Sequence, residues 1–246
     1  MQATKLYGLI GYPLGHSFSK QYFTEKFLKD GLSDCQYELF PLQEIAEIVD
    51  LLAANPHLVG LNVTIPYKEK VLPYTQVQSK VVQQIGAANT LHIHNGIITA
   101  HNTDVIGFEQ SFAPALLPHH TQALILGTGG ASRAAQYVLQ QRHTPYNLVS
   151  RNAMPGAITY RDIDAAMMAT HTIIINCTPA GMQPHEASFP DIPYQYLTPQ
   201  HYLFDMVYKP ATTVFMQRGM QQGAIVKNGF DMLLIQAEAS WHIWNV

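Results

Sequence analysis

A glycine-rich turn and four polar clusters are the parts of this sequence best suited to chemistry. The turn is Gly127-Thr128-Gly129-Gly130-Ala131-Ser132, placed between the apolar run Ala123–Leu126 and an amphipathic stretch. Glycines after a strand let backbone N–H groups close on a pyrophosphate, and the N-terminus of the following helix favours its charge. Ser132 holds the third position of the general dinucleotide fingerprint, so the order strand, turn, helix carries the argument rather than the glycines alone. The next strand, Tyr146–Val149, is followed by Ser150-Arg151-Asn152, with no acid to accept from a ribose 2′-hydroxyl. Arg151 can instead pair with a 2′-phosphate, which points to NADP. The polar clusters are His16-Ser17-Phe18-Ser19, Asn62 through Lys68, Ala88-Asn89-Thr90 and Asn102-Thr103-Asp104. Taken singly, each has an ordinary reading: a lysine after a strand is commonly a solvated charge, and Asn-Thr-Asp commonly caps a helix.

These groups need strand ends to hold them, and the hydrophobic pattern supplies such ends. Apolar runs alternate with amphipathic ones along the chain, the pattern of an α/β protein with parallel sheets. Strands are expected at Lys5–Tyr12, Cys35–Phe40 and Leu58–Ile65, with helices at Ser17–Asp30, Leu42–Ala54 and about Gln78–Ile85. Asn95-Gly96 is the strongest two-residue hairpin signal, and it pairs Asn89–His94 with Ile97–Asp104. That register sets Asn89 opposite Asn102, Leu91 opposite Ala100 and Ile93 opposite Ile98. The opposite face, with Thr90, His92, His94, Thr99 and His101, is expected to be wet.

Beyond the hairpin, strands are expected at Thr172–Asn176, Tyr202–Met206 and Ala224–Val226. Helices are expected at Ala131–Gln141, Asp162–Thr170, Thr212–Gln222 and Phe230–Trp244, the last with an apolar stripe of Phe230, Leu233, Leu234, Ala237, Trp241 and Trp244. The expected organisation is a first α/β domain at residues 1–104, with 229–246 packing back on it, and a Rossmann-type dinucleotide-binding domain at 105–228.

Composition excludes several classes. The chain has 246 residues, 47% hydrophobic and only 13% charged, with 14 basic against 17 acidic side chains and a net charge of −3. No basic run marks a nucleic-acid track, and no basic amphipathic helix marks a membrane surface. The opening residues lack a signal-peptide core and no apolar run reaches spanning length, so the expectation is a cytoplasmic protein. Two cysteines, Cys35 and Cys177, are too few for a disulfide framework, and Cys177 reads as a small packed residue rather than a nucleophile. Among the 12 histidines, His94 and His101 would lie at opposite ends of the hairpin, too far apart to share an ion with His92, so no metal site is expected.

The ordered set of motifs resembles the shikimate dehydrogenase family. Gly11 through Ser19 is similar to its N-terminal substrate motif, and Asn62 through Glu69 to its catalytic-lysine motif. The resemblance continues through Gly86–Thr90, Asn102–Asp104, the glycine turn with Arg133, Asn176–Met182, Asp205–Pro210 and Gly229–Gln236. It implies NADPH-dependent, reversible reduction of 3-dehydroshikimate to shikimate, on the route to chorismate and the aromatic amino acids. By the same resemblance Lys68 and Asp104 are the catalytic pair, and Ser17 and Ser19 hold the substrate carboxylate. Asn62, Thr64, Asn89 and Gln236 bond the ring hydroxyls, with Tyr208 nearby. Gly127, Gly129, Gly130 and Ala131 carry the pyrophosphate, Arg151 the 2′-phosphate, and Gly229 and Met232 the nicotinamide end.

The chain departs from the family at Lys20, where proline is usual, and at Ser150-Arg151-Asn152, where Asn-Arg-Thr is usual. Ala153–Thr159 is also short where relatives carry a helix, which weakens the expected preference for NADP over NAD. Two rival readings stand beside the main one: a quinate/shikimate dehydrogenase using NAD or either cofactor, and a non-catalytic nucleotide-binding module on the same fold. Small-molecule substrates are the expected partners, with a monomer or homodimer left open.

Overall fold

The computed structural model describes residues 5–15 and 17–245, so the opening residues and His16 of the first polar cluster lie outside the described residues. The chain divides into two compact units, one comprising Met1–Thr103 and Ala237–Val246, the other Asp104–Gln236.

The first unit begins with β1 (Lys5–Gly11), α1 (Phe18–Lys29), β2 (Cys35–Pro41), α2 (Ile48–Ala54) and β3 (Leu58–Val63). It continues with β4 (Val77–Gln78), α3 (Lys80–Ile85), β5 (Thr90–His94) and β6 (Ile97–His101). Its sheet has the order β2-β1-β3-β5-β6-β4. β1 runs parallel to both β2 and β3, whereas β5 and β6 form the antiparallel hairpin. Being central, β1 is apolar on both faces, and Tyr7 through Gly11 are all buried. One face packs on Ile10, Leu42, Ile48, Leu61, Val71 and Val82. The other packs on Tyr7, Phe23, Phe27, Tyr37 and Trp244.

The hairpin register is the expected one, with Leu91 opposite Ala100 and Ile93 opposite Ile98. Asn95 (φ 50°) and Gly96 (φ 76°) are both left-handed, as a type I′ turn requires. The expectation of a wet opposite face fails at Thr90, which is fully buried. The end of the last helix covers that face: the Trp244 indole donates to the Leu91 carbonyl at 2.9 Å. Gly60 of β3 makes room for the indole, since a Cβ there would run into the ring.

The expected helix over 42–54 is divided, with a 3₁₀ turn at Ile45–Glu47 ahead of α2. Glu44 and Glu47 form a capping box on that turn and so set a second start inside the apolar pattern. Gln78 belongs to β4 rather than to the helix, because Ser79 caps α3 by accepting from the Val82 amide.

The second unit opens with α4 (Asp104–Phe112), β7 (Ala123–Leu126), α5 (Gly130–Gln141), β8 (Tyr146–Ser150) and β9 (Ile158–Thr159). It continues with α6 (Ala165–Thr170), β10 (Ile173–Asn176), β11 (Tyr202–Asp205), α7 (Val214–Gln221), β12 (Ile225–Asn228) and α8 (Phe230–Trp244). α8 groups with this unit through Gln236 and with the first unit from Ala237. Every pairing in the sheet is parallel, in the order β12-β11-β10-β7-β8-β9. This is the doubly wound arrangement, in which the strand order reverses between β7 and β10. The three central strands are buried at every position, which explains their unbroken apolar runs.

α6 is shorter than expected: a Thr159/Asp162 capping box closes a separate 3₁₀ turn, and Asp164 then caps the helix through the Met167 amide. Phe230 is a correction to the apolar stripe of α8, since it is 42% exposed.

Candidate active site

Open α/β sheets bind ligands beyond the carboxyl ends of their strands, at the point where the strand order reverses. In the first unit that point lies between β1 and β3. The two strand ends are laced together there, with Thr64 N–H donating to Ile10 (3.0 Å) and Tyr12 N–H to Ile65 (3.1 Å). β1 leads to Ser17 and Ser19, both half-buried at the start of α1, where Ser17 caps the helix by accepting from the Lys20 amide. Lys20, the departure from the family pattern, makes an ion pair with Glu38 at 2.7 Å and leaves the cap intact.

β3 leads to Asn62, Thr64 and Lys68. The loop bearing the lysine is anchored on both sides. Tyr67 is buried, with its hydroxyl on the Leu42 carbonyl (2.6 Å), and the Lys68 carbonyl accepts from the Ala88 amide (2.7 Å). Lys68 itself is half-buried.

Asn62 and Asn89 belong to a buried network of amides and hydroxyls. Tyr37 donates to Asn62 Oδ1 at 2.7 Å, and Asn62 Nδ2 donates to Ser240 Oγ at 3.0 Å. Ser240 Oγ lies 2.8 Å from Thr90 Oγ1 and 3.1 Å from Thr103 Oγ1. Asn89 Nδ2 donates to Thr103 Oγ1 (2.9 Å), and the Thr103 amide returns a 2.6 Å bond to Asn89 Oδ1. Asn102 instead turns to the Ala87 carbonyl. The first unit thus gathers Ser17, Ser19, Asn62, Thr64, Lys68 and Asn89 at neighbouring strand ends. Thr90, Thr103, Tyr37 and Ser240 complete the cluster. Thr90 and Thr103 stood in the polar clusters of the sequence without a role of their own, whereas Tyr37 and Ser240 escaped the sequence reading because nothing marked them.

In the second unit the glycine turn joins β7 to α5. Gly127 has φ 101°, and a Cβ there would press on Thr178 in the loop after β10, so both backbone and packing require glycine. Gly129 caps α5 with φ −78°, and a Cβ on it would meet nothing within 4 Å. Neither strain nor crowding explains that glycine; an open helix N-terminus fits close approach of an anionic ligand to the backbone. Gly130 and Ala131 follow as the first residues of α5, and Ser132 is buried with its hydroxyl on the Gly129 carbonyl (2.7 Å).

Arg151 is exposed directly after β8, close enough to Tyr160 for its charge to act on the phenol. The short segment after it forms no helix, but a Met154–Ala157 bridge and then β9, which extends the sheet. Asp205 closes β11, fully buried, accepting from Asn176 Nδ2 (2.9 Å), the Val207 amide (3.0 Å) and Thr213 Oγ1 (2.5 Å). Burial pushes its carboxyl up to about 6, against the downward pull of those bonds.

Asp104 begins α4 and is buried, and Tyr208 is half-buried, its phenol raised by burial. Gly229 is buried under the Met206 carbonyl, which leaves no room for a side chain. Met232 and Gln236 lie on α8, half-buried, with Gln236 Nε2 on the Leu233 carbonyl (3.0 Å).

A family model for the shikimate dehydrogenase substrate binding domain matches residues 9–91. A shikimate dehydrogenase (NADP⁺) of Ignicoccus hospitalis is 36% identical over 250 residues, covering 97% of this chain and 92% of that protein. The chain belongs to the shikimate dehydrogenase family. The fold agrees with solved relatives of the family. A shikimate 5-dehydrogenase from Listeria monocytogenes, in complex with shikimate and NAD, matches with a TM-score of 0.86 at 27% identity, over 98% of this chain and 92% of that one. A quinate dehydrogenase from Corynebacterium glutamicum, in complex with NAD, matches with a TM-score of 0.85 at 25% identity, over 98% and 94% of the two chains. The stretch matched by the shikimate dehydrogenase model contains Ser17, Ser19, Asn62, Thr64, Lys68 and Asn89, whereas Asp104 and the glycine turn lie beyond it.

Other chemistry finds little support. Burial raises the Cys177 thiol well above its ordinary range, which opposes a thiolate nucleophile. Among the described residues no group of three or more His, Cys, Asp or Glu side chains is placed to hold a metal ion. His92 and His101 are both shifted down by burial and by a neighbouring histidine. Among the described residues no helix is long and apolar enough to cross a membrane.

Proposed function

We propose that this protein catalyses the reversible, NADPH-dependent reduction of 3-dehydroshikimate to shikimate, with Lys68 and Asp104 as its acid–base pair. The observation that carries this reading is similarity to a shikimate dehydrogenase (NADP⁺) along nearly the whole of both chains. The geometry of the strand ends supports it, with hydroxyls, amides and one anchored lysine in the first unit and an open helix N-terminus in the second.

The second unit fits a dinucleotide: Gly127, Gly129, Gly130 and Ala131 offer backbone to the pyrophosphate, and Arg151 offers its guanidinium to the 2′-phosphate. Gly229 and Met232 would line the nicotinamide end. When bound, the nucleotide supplies the hydride. Ser17 and Ser19, at the start of a 12-residue helix, would hold the substrate carboxylate with hydroxyls and helix dipole together. Asn62, Thr64, Asn89 and Gln236 would bond the ring hydroxyls, with Tyr208 beside them. As the carbonyl carbon accepts hydride, its oxygen gains charge. The Lys68 ammonium polarises that oxygen and delivers the proton that makes it a hydroxyl; in the reverse direction the neutral amine takes the proton back. The Asp104 carboxylate orients the ammonium and accepts from the same hydroxyl.

The complexes of two relatives with NAD, and the replacement of a helix by β9 after Arg151, favour a second reading in which NAD also serves. Initial rates at 340 nm with shikimate or quinate, each with NADP⁺ or NAD⁺, separate the two. Dominant shikimate turnover with NADP⁺ supports the first, and comparable rates with quinate or NAD⁺ support the broader enzyme. Absence of turnover in all four mixtures overturns both and leaves a binding module.

A further inference from the structure

Asn62 can recognise a ring hydroxyl only if its amide is held one way round. Hydroxyl neighbours do not fix that orientation, since Tyr37, Thr90 and Ser240 can each donate or accept. The backbone carbonyl of Asn89 can only accept, and it lies 3.5 Å from the Asn62 nitrogen, so that side must be the donor. The opposite side, Oδ1, then needs a donor, and its neighbour is the Tyr37 hydroxyl at 2.7 Å. The result is a directed chain from Tyr37 to Asn62, continuing to Ser240 at 3.0 Å. Tyr37 is 3% exposed, Asn62 5% and Ser240 0%, so water is poorly placed to replace any member. Tyr37 is held rigidly as well, stacked on Phe23 with centroids 4.7 Å apart.

We propose that Tyr37 is a positioning residue, seconded by Ser240, that orients Asn62 for recognition of a ring hydroxyl. The inference rests on the proposed role of Asn62 in binding shikimate.

The test is Tyr37→Phe, which removes the hydroxyl and keeps the ring. Loss of a buried hydrogen bond of this kind corresponds to a rise of about five- to tenfold in the KM for shikimate. The KM for NADP⁺ and kcat should stay near parental values, a split that general loosening of the fold would not give. Asn62→Ala and Tyr37→Phe should not multiply in the double variant, because Tyr37 acts through Asn62. If Tyr37→Phe yields little folded protein, titration calorimetry of shikimate into Ser240→Ala gives the same reading, with several-fold weaker binding expected. A parental shikimate KM in Tyr37→Phe, or multiplying effects in the double variant, overturns the proposal; so does parental shikimate affinity in Ser240→Ala. Absence of shikimate turnover by the wild type instead overturns the functional reading beneath it.

Discussion

Asp205→Asn should change how the stability of the second unit depends on pH. The carboxyl is fully buried and its pKa stands at about 6 instead of 3.8, so the folded state holds a proton that the unfolded chain releases. Its stabilising contribution is complete below pH 3.8 and is lost as the pH rises through 6. At about 1.4 kcal/mol per pH unit the whole effect is about 3 kcal/mol, of which about 2 kcal/mol falls between pH 4.5 and 7.5. Asparagine keeps an acceptor for Asn176 and Val207 and turns a donor to Thr213, whose hydroxyl can accept, so the network survives without the titration. Urea or thermal unfolding of both proteins at pH 4.5, 6.0 and 7.5 isolates the group, because other titrations cancel in the difference. The variant should gain on the wild type by about 2 kcal/mol across that range, or about 4–8 °C in Tm. Parallel profiles would put the folded Asp205 carboxyl at its ordinary value and refute the argument from burial.

Among the described residues the buried Tyr7 hydroxyl has no hydrogen-bond partner, so Tyr7→Phe should be neutral or stabilise by up to about 1 kcal/mol in urea unfolding; a clear loss would contradict this. Gly60→Ala drives a Cβ into the Trp244 indole and should cost about 1–3 kcal/mol, whereas an unchanged Tm would mean that the ring is not seated on that glycine. Arg151→Ala should raise the KM for NADP⁺ by roughly 10- to 100-fold while leaving that for NAD⁺ nearly unchanged, the signature of a lost charge-assisted bond. An equal rise for both nucleotides would assign Arg151 to the adenine or to the fold.

The features most legible in the sequence were those set by local chemistry. Asn95 and Gly96 fix a hairpin register because few other pairs tolerate two left-handed residues, and that register carried Leu91, Ile93, Ile98 and Ala100 to the correct face. The central strands of the second sheet were legible because burial on both faces leaves an unbroken apolar run. What escaped depended on distant segments meeting. Thr90 looked solvent-facing because its cover, the end of α8, lies 150 residues away at Ser240. Tyr37 and Ser240 sit where ordinary strand and helix residues would, and their importance arises only when β2, β3, β5 and α8 converge on Asn62. Capping misplaced the helix starts for a different reason. Glu44 with Glu47, and Asp162 ahead of Asp164, offer competing starts within one apolar pattern, and hydrogen bonding selects between them.

The most direct test of the account is shikimate-dependent formation of NADPH at 340 nm by the wild type and by Lys68→Ala, both with saturating shikimate and NADP⁺. A positioned general acid–base group contributes roughly 10²–10⁴ in rate, so the wild type should turn over steadily and the variant should lose about that factor in kcat. A variant that keeps near-parental turnover would contradict the role given to Lys68. A wild type that forms no NADPH would contradict the function itself.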